Sequence, residues 1–210
     1  MDLNPSYPSA YSHEAGCLVA MGLADEAPAM MEKAQLLDPL SVWVHTVAGL
    51  VAYLTRNYDR AIQELQKAIE LDSRAGEARR ALGITYIQMN DLARAIPELE
   101  AARTLLGETP AALASLGRAY GRAGLVDQAE GLLLQLKTVS AQKRVAAAST
   151  AAIYVALGRN DLALDWLEKA VMNRSSWLVW LNAERWWDPL RDDPRFQAIR
   201  GRIGPLTPTT

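Results

Sequence analysis

Five alanines, Ala27, Ala61, Ala95, Ala129 and Ala163, stand 34 residues apart along the chain. Three more columns keep that register. Small residues lie twelve positions before each alanine, at Ala15, Gly49, Gly83, Gly117 and Ala151. Apolar residues lie four after, at Met31, Leu65, Leu99, Leu133 and Leu167, and seven after, at Ala34, Ala68, Ala102, Leu136 and Ala170. A fixed period of this length means one supersecondary unit copied along the chain. Each copy is too small to bury its own apolar stripe and must lean on its neighbours.

Each unit reads as two helices. In the third, "AGEARRALGITYIQ" (75–88) carries Ala78, Leu82, Ile84 and Tyr86 at helical spacing. "MND" then interrupts, and "LARAIPELEAARTL" (92–105) resumes with Leu92, Ala95, Ile96, Leu99 and Ala102. The interruptions fall at 22–23, 56–57, 90–91, 124–125 and 158–159, where Gly or Asn supplies the left-handed residue that ends a helix. Thr109-Pro110 reads as an N-cap followed by proline at the first helical position. Pro97 conflicts with this pattern, because it lacks the backbone N–H and its ring crowds the carbonyl near Ala93, so a kink or an irregular first turn is expected there. No stretch alternates with period two. The small columns imply close helix crossings, with Gly49, Gly83 and Gly117 letting the two helices of a pair approach.

These columns resemble the tetratricopeptide repeat, a 34-residue helical hairpin with the pattern W-x2-L-G-x2-Y…A-x3-F…P. The fourth unit carries Leu113, Leu116-Gly117, Tyr120, Ala129 and Leu133, and the third Leu82-Gly83, Tyr86, Ala95 and Leu99. Asp38-Pro39 closes the first unit as in that family. The pattern's tryptophan is replaced by Tyr11, His45, Arg79, Leu113 and Ala147, and its proline is lost after unit one. The resemblance implies an all-α, right-handed superhelical solenoid of antiparallel helix pairs. Its units would be 8–41, 42–75, 76–109, 110–143 and 144–175, followed by a tryptophan-rich C-terminal capping segment at 176–204 and a disordered tail at 205–210.

Both ends of the array depart from the period. Asp2-Leu3-Asn4-Pro5 sits where Leu37-Asp38-Pro39 sits one period later, so residues 1–7 read as the tail of a preceding repeat. That leaves Tyr11 and Leu18 as apolar candidates for self-association. At the other end, "WLVWLNAERWW" (177–187) holds four of the six tryptophans. Ser175-Ser176 reads as a cap, 177–184 as one helix, Asp188-Pro189 as a turn and Asp193-Pro194 as the start of a last helix. Trp177, Trp180, Trp187 and Phe196 are expected to cover the flank of unit five, built from Trp166, Leu167 and Val171, rather than to form a cage. Arg185 and Arg191 could pair with the aspartates around that turn. Residues 160–204 also resemble the end of repeat arrays in bacterial winged-helix regulators and serine/threonine kinases, which implies a regulatory arm of a larger signalling protein.

The family resemblance places the first helices on a concave face that binds a protein or peptide. Carried over residue by residue, the groove positions are Trp43, Thr46, Leu50 and Tyr53 in unit two, Glu77, Arg80, Ile84, Ile87 and Gln88 in unit three, and Arg118 and Arg122 in unit four. Units one and five offer Ser9, Ser12, Gly16, Val145, Ala148 and Ala152. The expected ligand is an extended segment with an apolar anchor near Trp43 and a carboxylate near the arginines. Chaperone-docking members of the family clamp a C-terminal carboxylate, but the corresponding positions here are Ser12, Gly16, Val47, Glu77 and Ala81. The alternatives are a homodimer formed through the N-terminal face and a small-molecule sensor at the tryptophan-rich end.

Other chemistry finds little support. The chain of 210 residues is 50% hydrophobic and 22% charged with a formal charge of −2, so it has a substantial core and no basic footprint for nucleic acid. No apolar run has the length of a membrane span, and a cytoplasmic location is expected, with the outer side of a membrane-anchored parent as the alternative. His13 and Cys17 lie one helical turn apart but have no third orienting group. His45 takes an aromatic core position. There is no phosphate loop and no metal-ligand spacing, so no catalytic residue, cofactor or metal is assigned.

Overall fold

The computed structural model describes residues 7–142 and 147–203. Expectations for residues 1–6, for Val145 and for 205–210 fall outside that range. Eleven α-helices and two short 3-10 helices follow one another, and no strand occurs among the described residues. The helices pair as α1 (Pro8–Ala20) with α2 (Ala27–Leu37), α3 (Val42–Leu54) with α4 (Tyr58–Leu71), α5 (Gly76–Gln88) with α6 (Leu92–Leu106), α7 (Pro110–Arg122) with α8 (Val126–Gln142) and α9 (Ala147–Ala156) with α10 (Asn160–Met172). Successive pairs stack into a superhelical array.

The period of 34 is written into the backbone. Gly22, Arg56, Asn90, Gly124 and Gly158 all have positive φ, between 60 and 82°. The amide of the next residue closes the helix end each time: Leu23 onto Leu18 O, Asn57 onto Ala52 O, Asp91 onto Tyr86 O, Leu125 onto Tyr120 O and Arg159 onto Tyr154 O. This is the Schellman closure, which satisfies carbonyls that the helix leaves open. In unit two the left-handed residue is Arg56 rather than Asn57. Asn57 instead caps α4, its side chain accepting from Arg60 N. Asp91 and Thr109 cap α6 and α7 in the same way.

The alanine column is fully buried at every one of its five positions. A Cβ at Gly49 or Gly83 would run into Leu65 or Leu99 on the second helix of the same pair. Gly117 departs from that expectation, because its missing side chain makes room for Ile153 on α9. Gly121 lies one turn further along, where a Cβ would stand 3.0 Å from the Cβ of Ala156. The two glycines thus bring α7 directly against α9 across the unit boundary. Pro97 is accommodated within a continuous α6. Both it and Ala93 lie on the exposed face, where water can take the carbonyl that the missing N–H leaves open.

Where the pattern's tryptophan is lost, a polar pair recurs. His45 Nδ1 meets Glu64 Oε2 at 2.7 Å and its Nε2 meets Pro39 O at 2.9 Å. One period later Arg79 Nη1 donates to Glu98 Oε2 at 2.8 Å, and its Nε to Ser73 O at 3.3 Å. Both rings of contact tie a first helix to its partner helix and to the preceding loop. At the N-terminal end Leu18 is buried and Tyr11 is half-buried, so neither is an open apolar surface.

The C-terminal segment differs most from expectation. Residues 177–184 do not form one α-helix. A 3-10 helix spans Ser176–Trp180 and a second spans Arg185–Leu190, with Asp188-Pro189 inside it rather than in a turn. The last helix, α11 (Pro194–Ile203), closes the flank of unit five. Phe196 and Ile199 are fully buried there, Arg195 reaches Asp165 at 2.6 Å, and Arg202 reaches Glu168 at 2.6 Å. Trp187 joins them, its ring 6.4 Å from Phe196. Trp180 goes elsewhere and packs on the core of units one and two. An α-helix presents one apolar stripe, whereas these rings serve both halves of the array, and tighter 3-10 turns let them diverge.

Candidate functional site

The first helices line a groove, and the segment after α10 lies in it. Arg174 adopts a left-handed φ of 49° just before the segment begins. The tryptophans then settle against a floor of small residues on α7 and α9, which includes Ala111, Ala114, Ser115, Ala148 and Ala152. Arg191 fixes the following bend. Its Nε donates to Asp188 Oδ1 at 2.6 Å, and its Nη2 to the carbonyls of Asn182 and Glu184 at 3.3 and 3.2 Å. Arg185 completes the cluster, with Nε 3.1 Å from Asp188 Oδ2.

At the centre, the Tyr53 hydroxyl donates to Glu184 Oε2 at 2.8 Å, joining residues 131 apart in sequence. The Arg118 guanidinium lies over the Trp186 ring at 3.7 Å and acts electrostatically on both Tyr53 and Glu184. Tyr53 and Arg118 are each 4% exposed and Glu184 is 6% exposed. Burial dominates their titration. It pushes the Glu184 carboxyl up to about 7, against the opposing pull of Arg118 and the Tyr53 hydrogen bond. It raises Tyr53 well above the phenol range, reinforced by the Glu184 charge, and lowers Arg118. The indole N–H of Trp186 is buried and finds no acceptor among the described residues.

The groove positions expected from sequence thus divide. Tyr53 and Arg118 hold the chain's own Glu184. Trp43, Leu50, Arg80 and Ile84, from two successive units, line a cleft of about 520 Å³, walled opposite by Trp177 and Trp180. Trp43 is half exposed, and the His13 ring leans toward it at 6.2 Å. His13 and Cys17 both belong to this wall, with His13 Nδ1 2.6 Å from Ser9 O. Arg80 lies at the edge, its Nε donating to Glu77 at 2.8 Å. Ile87, Gln88 and Arg122 border a second cavity of about 290 Å³ beyond Trp186. Thr46 is buried with its hydroxyl on Val42 O and lies outside the cleft. Sequence reasoning missed Glu184 and Trp186 as groove residues. The signal was the run of small first-helix residues in units four and five, which leaves room for rings.

A tetratricopeptide-repeat family model matches residues 52–104. A thermophilic TPR protein of Thermus thermophilus is similar in structure, with a TM-score of 0.67 at 16% identity over 94% of this chain and 99% of that one. The chain folds as a tetratricopeptide-repeat array. PilW, a type IV pilus biogenesis factor, is similar at a TM-score of 0.61 and 15% identity, over 93% of this tetratricopeptide array and 91% of that chain. Hsp70-Hsp90 organizing protein 2 of Arabidopsis thaliana is 35% identical over 69 residues, 33% of this chain. General transcriptional corepressor trfA of Dictyostelium discoideum is 31% identical over 91 residues, 43% of this chain. The chain spans 12% and 6% of the length of these two relatives. Arrays of this kind are in general non-catalytic scaffolds for protein interaction. Among the described residues no helix is long and apolar enough to cross a membrane.

Proposed function

We propose that this array is a non-catalytic scaffold that binds a protein or peptide segment through its groove, as the cytoplasmic regulatory arm of a larger bacterial signalling protein. The cleft beside Trp43 carries the reading. It has the volume of a specific binding site and is walled by aromatic rings with one arginine at its edge, which suits an apolar anchor side chain. Gln88 and Arg122 extend the same face toward unit five, with Arg118 covered by Trp186 between them and the cleft. Support for the signalling context is the resemblance of residues 160–204 to the ends of regulator and kinase arrays.

The same cleft favours a second reading, a small apolar molecule held between Trp43 and Trp180. Selection of binders from a displayed peptide library, followed by affinity measurement on Trp43→Ala, separates the two. Peptides whose affinity drops at least tenfold on that substitution support the scaffold, since buried aromatic anchors dominate such interfaces. Failure to select any peptide, with tryptophan fluorescence responding to apolar metabolites instead, would favour the sensor.

A further inference from the structure

We infer that residues 176–190 are an intramolecular ligand of the groove, and that the partner which replaces them is an extended protein segment carrying a carboxylate followed closely by an aromatic ring. The inference rests on the scaffold reading and names its partner chemistry. The groove shows what it accepts. Tyr53 donates to the Glu184 carboxylate, and Arg118 lies beneath the Trp186 ring two residues later. An arginine that offers its planar face to an indole and its charge to a carboxylate selects that pairing rather than an apolar segment.

The fit in cis is incomplete, which is what a displaceable occupant requires. The Trp186 N–H finds no acceptor among the described residues. A cleft of about 520 Å³ stays open beside Trp177 and Trp180. The segment enters through Arg174, a non-glycine residue in left-handed backbone, and it has no α-helix of its own until Pro194. Displacing it would join the open cleft to the space now holding the rings, in one continuous groove. The tether at α11, by contrast, is buried and ion-paired to α10, so it holds the C-terminal end of the segment in place while Trp187 gives up its contact with Phe196.

The test uses the full chain and two fluorescently labelled synthetic peptides. One has the sequence of 177–187, and the other has Gln at the glutamate. Affinities are measured well above pH 7, where the Glu184 carboxyl is ionised, for the wild type and for Glu184→Gln, which removes the charge facing Arg118 and so weakens the internal competitor. The acidic peptide should bind Glu184→Gln roughly tenfold tighter than wild type, because apparent affinity is reduced by the fraction of grooves already occupied. The Gln peptide should bind both at least tenfold more weakly. Trp186→Ala, chosen in case the first variant folds poorly, should also tighten binding of the acidic peptide. Equal affinity of wild type and both variants, equal affinity for the two peptides, or no binding at all would overturn the inference. Binding abolished by Trp43→Ala but indifferent to the peptide's carboxylate would also overturn it while leaving the scaffold reading intact. Binding that follows Glu184→Gln but ignores Trp43→Ala would keep the inference and remove the Trp43 anchor from that reading.

Discussion

The array and the segment that follows it are built by opposite rules. In the array, the buried alanines and the left-handed helix closures repeat every 34 residues, and each helix meets its partner or the next pair. In residues 176–203 nothing repeats, and single side chains reach units one, two, four and five. A stack of nearest-neighbour contacts gains stability unit by unit and has no direct tie between distant units. The returning segment supplies one. The difference predicts that damage within a repeat is absorbed locally, whereas damage to the segment loosens both halves together.

The largest effect expected is from Phe196→Ala, which should cost about 3–5 kcal/mol by emptying a fully enclosed site where the flank of unit five is closed. Chemical denaturation reads it, and a cost below ~1 kcal/mol would break the contrast. Ala95→Leu probes the array's own rule. It should destabilise by about 1–3 kcal/mol, because the fully buried alanine sits at a crossing with no spare volume. Hydrogen exchange in that variant should rise mainly in units two to four. Exchange rising equally in residues 176–190 would blur the distinction.

Arg56→Gly sharpens the comparison from the other side. Its equivalents Gly22, Gly124 and Gly158 show that the period asks for left-handed backbone there. Relieving that strain should stabilise by roughly 0.5–1 kcal/mol, read as a higher melting temperature. The smallest effect is a pH slope confined to the segment. Glu184 titrates near 7 when folded, above its ordinary value of 4.5, so the native state holds the extra proton between those limits. Its contribution to stability is therefore full below pH 4.5 and lost as pH rises through 7. Comparing the two pH dependences, Glu184→Gln should remove that fall, and a slope unchanged by the substitution would contradict the buried carboxyl.

The hairpins were legible because periodicity reports environments that recur: buried alanines, glycines at crossings and left-handed closures need no knowledge of distant contacts. Two details escaped even there. Gly117 shares a column with Gly49 and Gly83 but serves α9, since the register gives the place and not the neighbour that fills it. Arg56 shows that a helix end can impose left-handed backbone on a residue that does not favour it. The segment was legible only in composition. Four tryptophans in eleven residues announce burial, but which surface they bury against depends on where the chain turns after Met172. Phe196 reached its expected flank because its helix follows a recognisable Asp-Pro start, with Asp193 accepting from Arg195 N at 2.7 Å. Glu184 gave no local signal, since its partners lie 131 and 66 residues earlier in sequence, at Tyr53 and Arg118.

The most direct measurement is a double-mutant cycle between Tyr53→Phe and Glu184→Met, which removes the acceptor, followed by denaturant unfolding of all four proteins. A tail folded back into the groove predicts a coupling of about 1–2 kcal/mol, the second substitution costing little once the first is made. Strictly additive losses would mean that the two side chains do not meet, and that the groove is empty in solution.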